Sequence, residues 1–360
     1  MTSIIPTMNI QTRFIPFLAL ALLALMFALW AGLSRIGWLL PSFPTLSVAH
    51  GPLMISGFLG VLIPLERAVA IRQKWMFAVP ILAGIGWISL LIVPFIGGLF
   101  MTLASIGTLM ILGVMVRREL HVHTITMFVG ICAWVIGNFL WMFGFPIFKI
   151  VYLWMAFLVL TIAGERLELS RVLRPAPGQL RIFGVVAAAL SAGALLSVVN
   201  LNWGTRLSGL SMLVLAFWFL KNDIATRNIR HPNPLTRYIA VCLFAGFIWL
   251  GVGGALQLYF GALFAGPYYD AALHAVFVGF VISMIFGHAP IIFPAILGVP
   301  ISYRPAFYIH LILLHLSLTI RLVGDLLSHD VTRRLGGLLN EIAILLFLGA
   351  TVYSILKAKK

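Results

Sequence analysis

Residues 14–33 read FIPFLALALLALMFALWAGL, twenty positions without a charged side chain. A bilayer core about 30 Å thick is crossed by a helix of roughly 20 apolar residues. This stretch therefore predicts a membrane-spanning helix. No small-x-small cleavage site ends it before Arg35, so it reads as a retained first helix and not as a signal peptide.

Eleven further runs follow the same pattern, near 46–65, 76–94, 97–116, 123–143, 147–164, 181–199, 206–220, 237–258, 271–290, 305–322 and 336–356. The expectation is an all-α polytopic membrane protein of about twelve helices, with residues 1–360 forming one transmembrane domain. The composition agrees: 62% of the 360 residues are hydrophobic and 9% are charged, against roughly a quarter charged in soluble domains. No compact fold hides that much apolar surface from water, so the bilayer is the expected partner. The longest polar connections, about 165–180 and 221–236, are too short for a further domain.

The formal charge of +15 does not signal nucleic acid, because the basic residues lie in short loops between apolar runs. With a cytoplasmic N-terminus, 18 of the 24 Lys and Arg residues fall inside and 6 outside. The positive-inside rule then puts both termini in the cytoplasm and suits a bacterial plasma membrane. Cys132 and Cys242 lie inside apolar runs and read as small core residues.

Ionisable side chains inside spanning helices are costly to bury, so each is a candidate for function. His50 and His274 lie about four residues into helices 2 and 10, which both enter from the same side. At about 1.5 Å rise per residue they share one depth. Two imidazoles at one depth can hold an iron from both faces. His288, His310 and His315 form a second set toward the other face, where a second haem or a copper ion is the candidate ligand. His310 and His315 are ~140° apart around one helix, so neither completes a site without other helices. Glu66–Arg67 and Glu165–Arg166 read as local ion pairs at the cytoplasmic rim, in preference to proton-relay carboxylates. His231 and His329 are loop residues with no role assigned.

The segments around the two paired histidines resemble those of a known family. Ala49–Gly60 reads AHGPLMISGFLG, and Leu273–Met284 reads LHAVFVGFVISM. His50, Met54, Gly57 and Phe58, with His274, Ala275, Val278, Gly279 and Met284, resemble two motifs of the NnrS family of haem- and copper-containing membrane proteins linked to nitric oxide stress. More distantly, His50 and Met54 resemble helix II of haem–copper oxidases and nitric oxide reductases. Asn138, Gly164–Arg166 and Tyr308–Arg321 extend the likeness along the chain.

The resemblance implies a haem–copper-oxidase-like bundle and a b-type haem with His50 and His274 as axial ligands. Met54, Gly57 and Gly279 would pack against the macrocycle. The function implied is electron transfer to or from a redox partner, or handling of nitric oxide or another small gas. Departures from the pattern are Gly51, Pro52 and Leu53, with Pro52 where the family has a second histidine. The oxidase copper ligands are missing, which leaves an oxidoreductase activity open. A secondary transporter of six plus six helices and a haem-free assembly factor are the alternatives the spans also accommodate.

Overall fold

The computed structural model describes residues 11–41, 43–299 and 301–357. Lys359 and Lys360, counted above among the inner charges, lie outside the described residues. Every regular element among the described residues is a helix.

Twelve apolar helices follow one another: α1 Thr12–Arg35, α2 Ser47–Ile71, α3 Lys74–Leu90, α4 Pro94–Arg118, α5 Val122–Met142 and α6 Ile147–Leu173, then α7 Pro177–Val199, α8 Leu201–Asn222, α9 Pro234–Phe260, α10 Pro267–Leu297, α11 Phe307–Leu326 and α12 Asp330–Lys357. Eleven are long and apolar enough to cross a bilayer, and α3 is shorter. The expected third helix, 76–94, runs too far. It stops at Leu90, and Pro94 opens the next helix, where a missing N–H costs nothing. The expected polar connection 165–180 is mostly helix, since α6 continues to Leu173. The connection 221–236 holds one short helix, Ile224–Asn228, capped by Asp223.

Short connections force sequence neighbours to pack as antiparallel pairs, and α3–α4, α4–α5, α5–α6, α7–α8, α8–α9 and α11–α12 all do so. The three most buried helices are α2, α6 and α10. A helix that is apolar all round suits such a central place. In α6, the run from Ile150 to Thr161 is buried at every position. The outer helices turn Ile81, Ile85, Val185 and Phe217 outward, as lipid contact requires.

Two of the central helices share an irregularity. Leu53–Leu59 in α2 and Ala275–Ile282 in α10 are π-helical. π-helix makes up well under 1% of residues in proteins and concentrates at functional sites. One stretch begins three residues after His50 and the other one residue after His274.

Candidate functional site

The rings of His50 and His274 face each other across the gap between α2 and α10, with centroids 6.2 Å apart and planes 19° from parallel. Each ring is oriented through Nδ1. His50 Nδ1 lies 2.8 Å from the carbonyl oxygen of Ala28 in α1, and His274 Nδ1 lies 2.9 Å from that of Asp270. A carbonyl oxygen only accepts, so both Nδ1 atoms carry the proton and donate. In a neutral ring of this tautomer, Nε2 is the atom that carries the lone pair. This is how a metal-binding histidine is normally set: a hydrogen bond on one nitrogen fixes the tautomer for ligation through the other.

Charged groups surround the pair. Asp270 also approaches His274 Nδ1 through its carboxylate, at 3.1 Å, and accepts two hydrogen bonds from Arg321 of α11, at 2.9 and 3.0 Å. Gly32 of α1 fits between the His50 ring and Glu341 of α12. A Cβ on Gly32 would meet His50 Cε1 at 3.0 Å and Glu341 Oε1 at 3.4 Å. Arg35 hydrogen-bonds the Ser47 carbonyl at the mouth of the same end.

Below the pair, α1, α2, α10 and α12 line a small, wholly apolar pocket, walled in part by Leu25, Phe58, Ile282 and Ile344. Phe58 follows His50, and Ile282 follows His274, by eight residues, about two turns of helix. The histidine pair and its charged neighbours thus lie about two turns from this apolar pocket and do not line it.

The other expected site residues are distributed differently. Met54 is half-buried and packs on the main core. Gly57 and Gly279 serve helix packing: a Cβ on Gly57 would meet Trp87 and Ala24, and one on Gly279 would lie 2.5 Å from the Trp249 ring. Small residues at helix contacts are the ordinary way for membrane helices to approach.

His288, His310 and His315 are not brought together. His310 Nε2 pairs with the Tyr238 hydroxyl at 2.9 Å. His315 Nδ1 accepts from Trp249 Nε1 at 3.0 Å. His288 is two residues beyond Phe286, whose ring stands against His310. Two residues are ~200° of helix, so His288 faces away from that histidine. Among the described residues no three His, Cys, Asp or Glu side chains converge as metal ligands.

His288 instead lines a second, open-sided cavity between α2, α6 and α10. Glu66, Glu165 and Thr161 share its wall. The ion pairs here correct the local pairing expected from sequence. Arg67 pairs with Glu165 across α2 and α6, and Arg166 grips Asp223 at 2.6 and 3.0 Å. Adjacent residues in a helix point ~100° apart, so a Glu-Arg dipeptide finds its partners on other helices.

Sequence reading missed one further cluster. The Asn138 side chain accepts from Ser56 and Trp154, each at 3.0 Å, and donates to the Met101 carbonyl at 3.2 Å. Trp134 Nε1 completes the network by donating to Ser56 Oγ at 2.9 Å. These bonds tie the π-helical stretch of α2 to α4, α5 and α6. A polar Asn in an apolar run was its only signal.

These features define a polytopic α-helical membrane protein with an oriented imidazole pair between two π-bulged central helices. The chain belongs to the family described as Domain of unknown function (DUF8744), whose profile matches residues 13–356. A comparison with curated proteins gave no match.

Proposed function

We propose that the chain binds a b-type haem between His50 and His274 and works in electron transfer within the membrane. The observation that carries this reading is the imidazole pair. Two imidazoles ligating one ion at about 2.0–2.1 Å, each nitrogen ~1 Å from its ring centre, put the centroids ~6 Å apart when the ion lies between them. The 6.2 Å separation fits that spacing.

The surroundings fit as well. Arg35 and Arg321 suit the carboxylate edge of a macrocycle, although Arg321 is already held by Asp270. Ala28 and Asp270 hold the two rings in the tautomer that presents Nε2. A haem bound there supplies reversible one-electron chemistry, tuned by axial ligands and burial. His50 and His274 would together hold such a group from both sides and leave no open position for a gas, which favours electron transfer over the nitric oxide handling of the NnrS-like reading. Asp270, set by Arg321, strengthens His274 as a donor.

The proposed setting is a bacterial plasma membrane with both chain ends in the cytoplasm, supported by the 18-to-6 division of Lys and Arg. The histidine pair then lies toward the outer face.

The test is the visible spectrum of protein purified in detergent from haem-replete cells. A low-spin Soret band is expected, abolished or shifted in both His50→Ala and His274→Ala. Absence of the band, or an unchanged band in both variants, overturns the reading. Carbon monoxide binding to the reduced wild type would move the assignment toward gas handling.

A further inference from the structure

The cavity between α2, α6 and α10 carries a second site, independent of the histidine pair. Two carboxylates line it, Glu66 and Glu165, and of these only Glu165 is ion-paired. Arg67 takes Glu165, and Arg166 takes Asp223. Glu66 lines the cavity and has no ion-pair or hydrogen-bond partner among the described residues. Arg67, its neighbour in sequence, turns its guanidinium to Glu165 instead.

His288 stands in the same wall. Its Nδ1–H donates to the Met284 carbonyl at 2.7 Å, so Nε2 is a lone-pair acceptor. That atom is buried and has no partner. Both unmatched groups are therefore acceptors, and one is a carboxylate. Groups like these within membrane helices are expensive and seek compensation.

What they lack is a cation that donates hydrogen bonds. Two ligands are too few for a bare metal ion, which takes six or more oxygens when it is hard and about four donors when it is zinc-like. The other walls decide the rest of the ligand: eleven of the fifteen lining residues are apolar, among them Leu158, Met284 and Phe293. We propose that this cavity binds a primary ammonium group carried on an apolar body, with Glu66 as counter-ion and His288 Nε2 as second acceptor. The ammonium has three donors on a compact charge, enough for both groups. The apolar body lies against Ile63, Ile162 and Ile285, with one side of the cavity open for entry.

The experiment is a thermal melt of the full chain in detergent, with phenethylamine and phenethyl alcohol as probes of nearly equal shape. The amine is expected to raise Tm by about 3 °C or more at saturation, and the alcohol to leave it unchanged. Glu66→Gln should abolish the shift. If that variant is not monodisperse, Ile63→Trp, which fills the cavity from its apolar wall, should abolish it instead. No shift with the amine, an equal shift with the alcohol, or an undiminished shift in both variants overturns the proposal. So does a shift reproduced by sodium or potassium chloride alone. The readout needs no haem, so it succeeds or fails apart from the spectrum of the histidine pair.

Discussion

Arg321 holds Asp270 through two parallel hydrogen bonds, and the carboxylate it holds stands 3.1 Å from His274 Nδ1. One guanidinium on α11 thereby sets a ring on α10. Arg321→Met should leave the carboxylate with only His274 beside it. Breaking a buried pair from one side costs ~3–5 kcal/mol, and the partial exposure of Asp270 brings the expected loss to ~2–3 kcal/mol. A denaturant melt in mild detergent measures it. An Arg321→Met protein as stable as wild type would show that the pair only decorates the site.

Gly32→Ala should disturb His50 without touching its chemistry. The added methyl meets the ring at 3.0 Å, so the ring has to shift by a few tenths of an ångström and its hydrogen bond to Ala28 is strained. With haem bound, the expected result is a shifted or partly high-spin spectrum in a folded protein. Gly349→Ala, where nothing lies near the new methyl, is the control and should be silent.

Asn138→Leu removes the acceptor shared by Ser56 and Trp154. Each buried polar group left without a partner costs ~1–3 kcal/mol, so a loss of ~2–4 kcal/mol is expected. Because the network anchors the π-helical stretch after His50, amide exchange within 53–59 should accelerate more than exchange in α8. Uniform acceleration would deny the network that local role.

The Arg166–Asp223 pair is almost wholly buried, with side chains 4% and 0% exposed. Asp223→Asn should cost ~3–5 kcal/mol by stranding a buried guanidinium. The double replacement Arg166→Met with Asp223→Leu should be much milder, because desolvation of both charges disappears with them. It also removes the cap on Ile224–Asn228, a loss of ~1 kcal/mol. A double-mutant cycle separates these outcomes: additive losses would mean that the two charges do not interact.

Gly279→Ala tests whether the glycine serves packing. Its methyl would press on the Trp249 ring, which hydrogen-bonds His315. Overpacking of this kind costs ~1–3 kcal/mol. The loss should appear equally in haem-free and haem-bound protein. A variant that changes only the spectrum would return Gly279 to the histidine site.

Eleven of the spans were legible because twenty apolar residues in a row admit one solution in lipid, whereas the third, Lys74–Leu90, is shorter than the span its apolar run suggested. The pairing of His50 with His274 was legible as equal depth on helices that run the same way. Asp270 was within reach too, as it lies one turn before His274, but its Arg321 partner is 51 residues away and no local pattern announces it. The same holds for Arg67 with Glu165 and Arg166 with Asp223. Charge on adjacent residues suggested pairing along the chain, whereas helix geometry sends neighbours to different helices. Gly57 and Gly279 were read through their nearness to the histidines, yet a glycine's purpose depends on what packs opposite, here Trp87, Ala24 and Trp249. The π-helical stretches left no mark in composition, since their residues are as apolar as those around them.

Those two stretches act on everything downstream of them. A π turn holds about one residue more than an α turn, and one residue is ~100° of rotation. Beyond Leu59 and beyond Ile282, α2 and α10 are therefore turned away from the faces that an unbroken 3.6 periodicity would give them. Glu66 and His288 reach a common cavity on these rotated segments. Deleting one residue from either stretch would restore α geometry and swing one of the two off the cavity, while His50 and His274, which precede the turns, would stay in place. The far ends of the two helices are thus phased separately from the near ends, and a single-residue length change could retune one site without rebuilding the other.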